Sequence, residues 1–444
     1  MELLWSLVYL ALFIWIMPKI PFFKNSGISA SGIRIFFALK VIMGIALILV
    51  YRYYYPPGSA DIFNYFNDSK VLHSALAINP YDYLSMITGI GDDAPHLMHY
   101  YDKMNFWLKD FNYNMFNDNK TVIRFNAIVM LFSFKNIFVH TYIINIFSLA
   151  GLVGIYRFLR QIIKTKKLIA LIVVALPPSL LFWGSGLLKE GIVLFALGML
   201  LFAIAQISRN QYSFRPYFIL MFALAVFSIS KFYVLLAVIP AMLSFYAAKT
   251  TGKDWLAFLS VHLLLLIGIF ILPYIGLPDI PELISKKQHD FINYVHSLNH
   301  VGSYIESPKL STNFWDFILH GFRGLFITLF RPHPFEVHNL ATIPATLENV
   351  ITALLIIASL IFRNKQLHTK SLLFLMSFTV ILFALAGMTT PVLGALVRYK
   401  IPAQPFLYAL LLMSINWDAI TNRLERKWAV VLKYEMKLEH YLFN

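Results

Sequence analysis

The stretch "FWGSGLLKEGIVLF", Phe182 to Phe195, sets two adjacent charges, Lys189 and Glu190, between long apolar runs. Pro177 and Pro178 lie inside an apolar segment near 168 to 184, and the Gly184-Ser185-Gly186 turn at its outer end separates it from another near 187 to 206. Proline and glycine end helices, so the pattern reads as two membrane spans joined by a tight turn. An ionisable group at membrane depth costs about 2.5 to 3.5 kcal/mol on insertion scales and is usually paired or functional. The bland alternative is that both side chains only snorkel to the nearer headgroups. Neighbours on a helix point about 100° apart and pair poorly with each other. Each therefore needs a partner elsewhere: a phosphate or a loop carboxylate for Lys189, and a basic residue such as Lys231 or Arg398 for Glu190. Gly184 and Gly186 would let a headgroup approach the turn.

Composition carries the same reading to the whole chain. Its 444 residues are 59% hydrophobic and 13% charged, with a mean hydropathy of +0.67. This is too apolar for a soluble globule and describes an all-α, polytopic transmembrane helical bundle in one integral-membrane domain. A spanning helix needs about 20 apolar residues, and on that rule there are about eleven spans. They lie near 3 to 17, 34 to 54, 136 to 158, 168 to 184, 187 to 206, 216 to 230, 232 to 248, 255 to 275, 346 to 362, 371 to 388 and 401 to 417. The pair flanking Lys231 also reads as one long kinked helix.

The net charge of +15 would suggest nucleic acid for a soluble protein. Here the cations sit in short loops, at 157 to 167, 209 to 215, 249 to 253, 363 to 370 and 423 to 427. All fall on one side of an eleven-span chain, which the positive-inside rule makes cytoplasmic. Nucleic acid is set aside. The first apolar run has Glu2 before it and Lys19 and Lys24 after it, the reverse of a signal peptide. It reads as a retained helix, with the N-terminus outside and the C-terminus cytoplasmic. There is no cysteine, hence no disulfide and no thiolate chemistry.

Two hydrophilic segments, about 55 to 135 and 276 to 345, then face outward and are expected to hold short helices along the membrane surface. Their aromatics, including Phe106, Trp107 and Tyr113, suit the interface. No P-loop, GxGxxG, HExxH or internal repeat is present.

Chemistry concentrates outside. In "GSADIFNYFNDSKVL", Gly58 to Leu72, Asp61, Tyr65 and Asp68 share one helical face. A carboxylate at the mouth of a cavity can act as a general base, although Ser59 or Asp61 also reads as a helix cap. In the second segment, "HSLNHVGSYIESPKL" and "GFRGLFITLFRPHPFEVHN" supply His296, His300, Tyr304, Arg323, Arg331, His333, Glu336 and His338. Pro332 and Pro334 rigidify the backbone that carries Arg331 and Glu336. The histidines lack the spacing of a zinc site and read as surface residues. In "TTPVLGALVRYKIPAQPF", Thr389 to Phe406, Arg398 and Lys400 stand at an outer helix end. They suit phosphate oxygens, or serve as an interface anchor. Lys189, Lys231, Arg331, Arg398 and Lys400 all map to the outer leaflet, beside a loop containing Asp61, which fits an anionic phospholipid-like substrate.

These features resemble the GT-C class of integral-membrane glycosyltransferases, and "FWGSGLLKEG", "RPHPFE" and "GALVRYKIPAQPF" look like strings of bacterial membrane proteins that accompany surface-polysaccharide enzymes. The resemblance implies transfer from a polyprenyl-phosphate or pyrophosphate-linked saccharide at the outer face of a bacterial plasma membrane. Asp61 would be the catalytic carboxylate. Arg331, Arg398 and Lys400 would contact phosphate, beside substrate-binding residues Asp68, Lys189, Glu190, Lys231, His300, Tyr304 and Glu336. It implies no organic cofactor and no protein metal ligand, and leaves a divalent cation open. GT-C enzymes carry the acidic loop after their first helix, whereas here it follows the second. The only adjacent acidic pair in the loop, Asp92 and Asp93, lies about thirty residues after Asp61. A repeat-unit polymerase or ligase, a lipid-linked saccharide transporter and a membrane scaffold are the competing readings.

Overall fold

Helix boundaries in the computed structural model follow the breakers in the sequence. It describes residues 2–55, 60–108, 117–209, 213–297, 303–337, 342–365, 367–417, 419–420 and 442. Among these the chain is helical, and β-structure is limited to two isolated bridges, Tyr304 with Val392 and Arg363 with Ile415. His300, His338, Ser59 and Tyr113 lie outside the described residues.

Among the described residues seven helices are long and apolar enough to cross a membrane: Ala30–Tyr53, Ile137–Ile163, Lys189–Ile207, Phe232–Thr251, Asp254–Ile275, Ile343–Ile361 and Thr369–Thr389. The other stretches read as spans are shorter or broken. Glu2–Ile16 and Phe214–Ser228 have 15 residues each, and Gln404–Ser414 has 11. The run from 168 to 184 is interrupted at Leu176 and Pro177, giving Lys167–Ala175 and Pro178–Trp183, because proline removes a donor and clashes with the preceding turn. The region around Lys231 is two helices, broken at Ile229 to Lys231.

By internal packing the chain, read above as one domain, sorts into two compact units. The first holds Met1–Phe158 and Leu181–Lys231, and the second holds Leu159–Leu180 and the described residues between Phe232 and Lys433. Lipid offers little hydrophobic drive for helices to associate, so close backbone approach and interhelical polar bonds take over. Each unit uses both devices. In the first, Ile137–Phe158 crosses Lys189–Ile207 where Gly151 faces Gly198: a Cβ on Gly198 would collide with the Gly151 carbonyl, and one on Gly151 with the Leu194 carbonyl. In the second, Phe314–Phe330 and Thr369–Thr389 approach as closely: a Cβ on Gly387 would collide with the Gly324 carbonyl, and one on Gly324 with the Ala384 carbonyl. There Thr328 Oγ1 also donates to the Phe383 carbonyl at 2.8 Å, and His262 bridges Ser244 Oγ at 3.1 Å and Ser377 Oγ at 2.6 Å across three helices.

The two segments expected to hold short surface helices contain substantial ones. The first carries Asp61–Ile78 with 18 residues and Asn119–Ser133 with 15; the second carries Ile280–Ser297 with 18 and Phe314–Phe330 with 17. Trp107, expected at the lipid interface, is instead only 1% exposed. Tyr101 stacks on it with ring centroids 5.1 Å apart, and Lys120 and Arg124 lie over its ring at 4.6 and 5.3 Å. Enough apolar area surrounds it, from Leu72, Tyr83, Met86 and Ile123, for the segment to fold around its own aromatics.

Candidate functional site

Lys189 and Glu190 open the Lys189–Ile207 helix, with Leu188 as its cap. Lys189 Nζ lies 2.6 Å from Asp118 Oδ1, and Lys231 Nζ lies 2.9 Å from Glu190 Oε1. The loop carboxylate and the basic partner expected from the sequence are both found, and the Glu190 pair is almost wholly buried, with side chains 1% and 5% exposed. The negative end of the pair also suits the first turn of a helix, where unpaired amides leave partial positive charge.

The Gly-Ser-Gly turn before them differs from expectation. Gly184, Ser185 and Gly186 are buried, and a Cβ on Gly186 would strike Leu47. The turn's carbonyls are held by side chains from two helices. Lys40 Nζ donates to Gly184 O at 3.0 Å and to Ser185 Oγ at 3.1 Å. Ser148 Oγ donates to Gly184 O at 2.7 Å, and Asn145 Nδ2 to Ser185 O at 3.0 Å. No space remains for a headgroup over these glycines. Lys40, fully buried within an apolar helix, is a residue that sequence reasoning missed. A lone lysine at mid-span is the signal that marks it.

Asp61 is the first residue of its helix, whose cap is Ala60, so the capping reading of Asp61 does not hold. It is half-buried. One turn on, the Tyr65 hydroxyl donates to Asn119 Oδ1 at 3.0 Å, and the Tyr65 ring lies 6.0 Å from Lys189 Nζ. This brings the Asp61 helix, the start of the Asn119 helix and the Lys189 turn to one place within the first unit. Asp68 instead holds a loop in place, accepting the amides of Asn105 at 2.8 Å and Phe106 at 2.7 Å. Burial pushes its carboxyl up, against the pull of those two amides. Asp92, of the adjacent acidic pair, is taken by Lys120 at 3.1 Å and Arg124 at 2.7 Å.

Arg331, Glu336, Tyr304, Arg398 and Lys400 all belong to the second unit. Arg331 Nε donates to Glu336 Oε1 at 2.6 Å, and the His333 amide donates to Glu336 Oε2 at 3.0 Å. Pro332 lies between, as the rigid-backbone reading requires. Its carbonyl accepts from Asn349 Nδ2 at 3.0 Å, while Asn349 Oδ1 accepts from Lys400 Nζ at 2.7 Å. Burial lowers the Lys400 ammonium to about 8, with Glu348 opposing the shift. Tyr304 pairs by backbone with Val392, and the His296 ring lies 5.6 Å from its own.

Glu348 is the second residue that sequence reasoning missed. It is 3% exposed, yet its carboxylate has a full set of donors. Ser179 N donates to Oε2 at 3.1 Å, and Gln404 Nε2 and the Tyr408 hydroxyl donate to Oε1 at 2.9 and 3.2 Å. Its signal was a single acidic residue near the start of an apolar helix. Among the described residues no three His, Asp or Glu side chains are grouped as metal ligands.

No protein-family model matches the chain, and no curated protein or solved structure matches it either.

Proposed function

We propose that the protein is an integral-membrane glycosyltransferase that takes a saccharide from a polyprenyl-phosphate-linked donor in bacterial surface-polysaccharide assembly. In this reading the chain crosses the membrane about eleven times, with the N-terminus outside and the C-terminus cytoplasmic, and the reaction runs at the outer face. The observation that supports it is the convergence of the half-buried Asp61, Tyr65 and the Lys189–Asp118 pair within one unit. Asp61 would accept the proton of the attacking hydroxyl, and Lys189 would stabilise charge on the departing phosphate. The phosphate role that the resemblance gives Arg331, Arg398 and Lys400, which lie in the second unit, is a separate part of the proposal. Arg331 would have to exchange Glu336 for that ligand.

The test is transfer in proteoliposomes from a panel of radiolabelled polyprenyl-phosphate saccharides. Asp61→Asn is expected to lower transfer about 100-fold or more while leaving the detergent-purified protein folded. Undiminished transfer in that variant removes Asp61 from the mechanism. A polymerase or ligase differs only in using a saccharide chain as acceptor, and the product length distinguishes it.

A transporter of lipid-linked saccharide is the second reading, and one observation favours it. Lys40 lies at mid-helix in Ala30–Tyr53 and is fully buried, where ionisable groups often mark a path through the bilayer. Movement of a labelled lipid-linked saccharide between leaflets, with no covalent product, would select that reading.

A further inference from the structure

A cavity of about 630 Å³ opens in the second unit, within the range of about 300 to 1,000 Å³ typical of ligand sites. Two basic loops and the start of the C-terminal tail meet around it. Lys164 and Lys166 come from the loop before Lys167–Ala175, Arg363 and Lys365 from the loop after Ile343–Ile361, and Trp417 from just beyond Gln404–Ser414. No acidic side chain is among its described lining residues, and none of these four cations has a carboxylate partner among the described residues. Four like charges around one concavity repel each other, an arrangement that an anion relieves.

The walls are built, not incidental. Asn364 N donates to Ser414 O at 2.8 Å and Asn416 N to Phe362 O at 2.6 Å, so the Arg363 loop and the start of the tail form a small antiparallel clasp around the Arg363–Ile415 bridge. Trp417 Nε1 donates to Leu412 O at 2.9 Å, and Arg160 Nη1 holds the Thr165 carbonyl at 2.7 Å. The cations are exposed, whereas Thr165 and Ile415 are buried. Ile169, Leu367, Leu412, Met413 and Ala419 complete the lining. The cavity is thus cationic and apolar at once, and it lies where apolar helices end, with a tryptophan whose ring suits the headgroup level.

The geometry points to a binding site for a phosphate-bearing anion, of the kind a phospholipid headgroup supplies, at the end of the second unit where these basic loops meet. Basic pockets between membrane helices recognise anionic headgroups in this way. The site contains none of the residues assigned to sugar transfer, so it stands or falls apart from that reading.

The test uses the full chain, purified in detergent, delipidated and titrated with phosphatidylglycerol or phosphatidylcholine, with bound lipid counted by native mass spectrometry. The wild type is expected to retain phosphatidylglycerol in preference to phosphatidylcholine. Lys166→Gln with Arg363→Gln should weaken retention about tenfold or more. Lys164→Gln with Lys365→Gln removes the other two cations and leaves the backbone clasp untouched, so it keeps the test open should the first pair fail to fold. Lys249→Gln with Lys253→Gln makes the same change of charge away from the cavity and should leave retention as in the wild type. Equal losses in the pocket and control variants would overturn the proposal, as would unchanged retention in both pocket variants. A parallel arm adds inorganic phosphate. Displacement of phosphatidylglycerol by millimolar phosphate keeps the site and assigns it to a soluble phosphate ligand, whereas failure of both lipid and phosphate to bind ends the proposal.

Discussion

Among the described residues each unit buries one glutamate, and the two are satisfied in different ways. Glu190 in the first unit meets an ammonium, Lys231, at 2.9 Å. Glu348 in the second is surrounded by a backbone amide, a carboxamide and a phenol. The first arrangement places two charges out of water and depends on their mutual attraction. The second spreads one charge over neutral hydrogen-bond donors, with the Lys400 ammonium near enough to feel it. Breaking a buried ion pair from one side is therefore the more damaging operation.

The largest predicted effect follows directly. Lys231→Met should destabilise the protein by about 3 to 5 kcal/mol, because Glu190 is left charged and buried. The paired change Lys231→Met with Glu190→Leu should recover most of that loss. Thermal unfolding in detergent measures both, and a double variant no better than the single one would show that the ion pair is not the interaction that matters there.

Lys40 tests the comparison from the other side, since it is a buried cation whose described hydrogen bonds go to a carbonyl and a hydroxyl. Lys40→Met removes the donor and leaves Gly184 O with Ser148 alone. The expected loss is about 1 to 3 kcal/mol, the range for a buried acceptor losing a charged donor. If Lys40 drives transport, leaflet exchange should vanish with a smaller loss of stability. Glu348→Gln should be milder still, at about 1 kcal/mol. Glutamine keeps the oxygen that accepts from Gln404 and Tyr408, and only the Ser179 amide loses its acceptor.

These residues also show what could be read in advance. Helix positions were legible because apolar runs and proline or glycine breaks are local properties: Thr369–Thr389 and Ile343–Ile361 sit within a few residues of where hydropathy puts them. The partner of Glu190 was legible as one of two candidates, Lys231 or Arg398, since a buried charge needs a compensating group and Lys231 stood at the right end of a neighbouring span. The burial of Trp107 was not. An aromatic in a hydrophilic segment fits an interface or a core equally well until the neighbours that cover it are known, and Tyr101, Lys120 and Arg124 come from sequence positions that no local pattern connects. Lys40 and Glu348 are hidden by the charge-rich loops, which dominate any count of polar residues, although a single ionisable residue in an apolar helix is the stronger physical anomaly.

The smallest effect separates a buried carboxylate from an exposed rim. Glu336, beside Arg331 and the His333 amide, is partly accessible. Burial raises its carboxyl, but the hydrogen bonds from Arg331 and the His333 amide, with the charges of Arg331 and His333, outweigh it and hold the carboxyl below its ordinary value of 4.5. A carboxyl depressed by folding contributes stability that is fully present above the unfolded value and is lost as pH falls through the folded one. The contribution of the Arg331–Glu336 pair should thus be constant at pH values well above 4.5 and be lost as the pH falls below it. Its size is at most about 1 kcal/mol, as for other accessible ion pairs. Comparing the wild type with Glu336→Gln by thermal unfolding across that window checks it. Curves that run parallel through pH 4 would mean that Glu336 titrates alike in the folded and unfolded chain, and the guanidinium of Arg331 would then be available to an anion at little energetic cost.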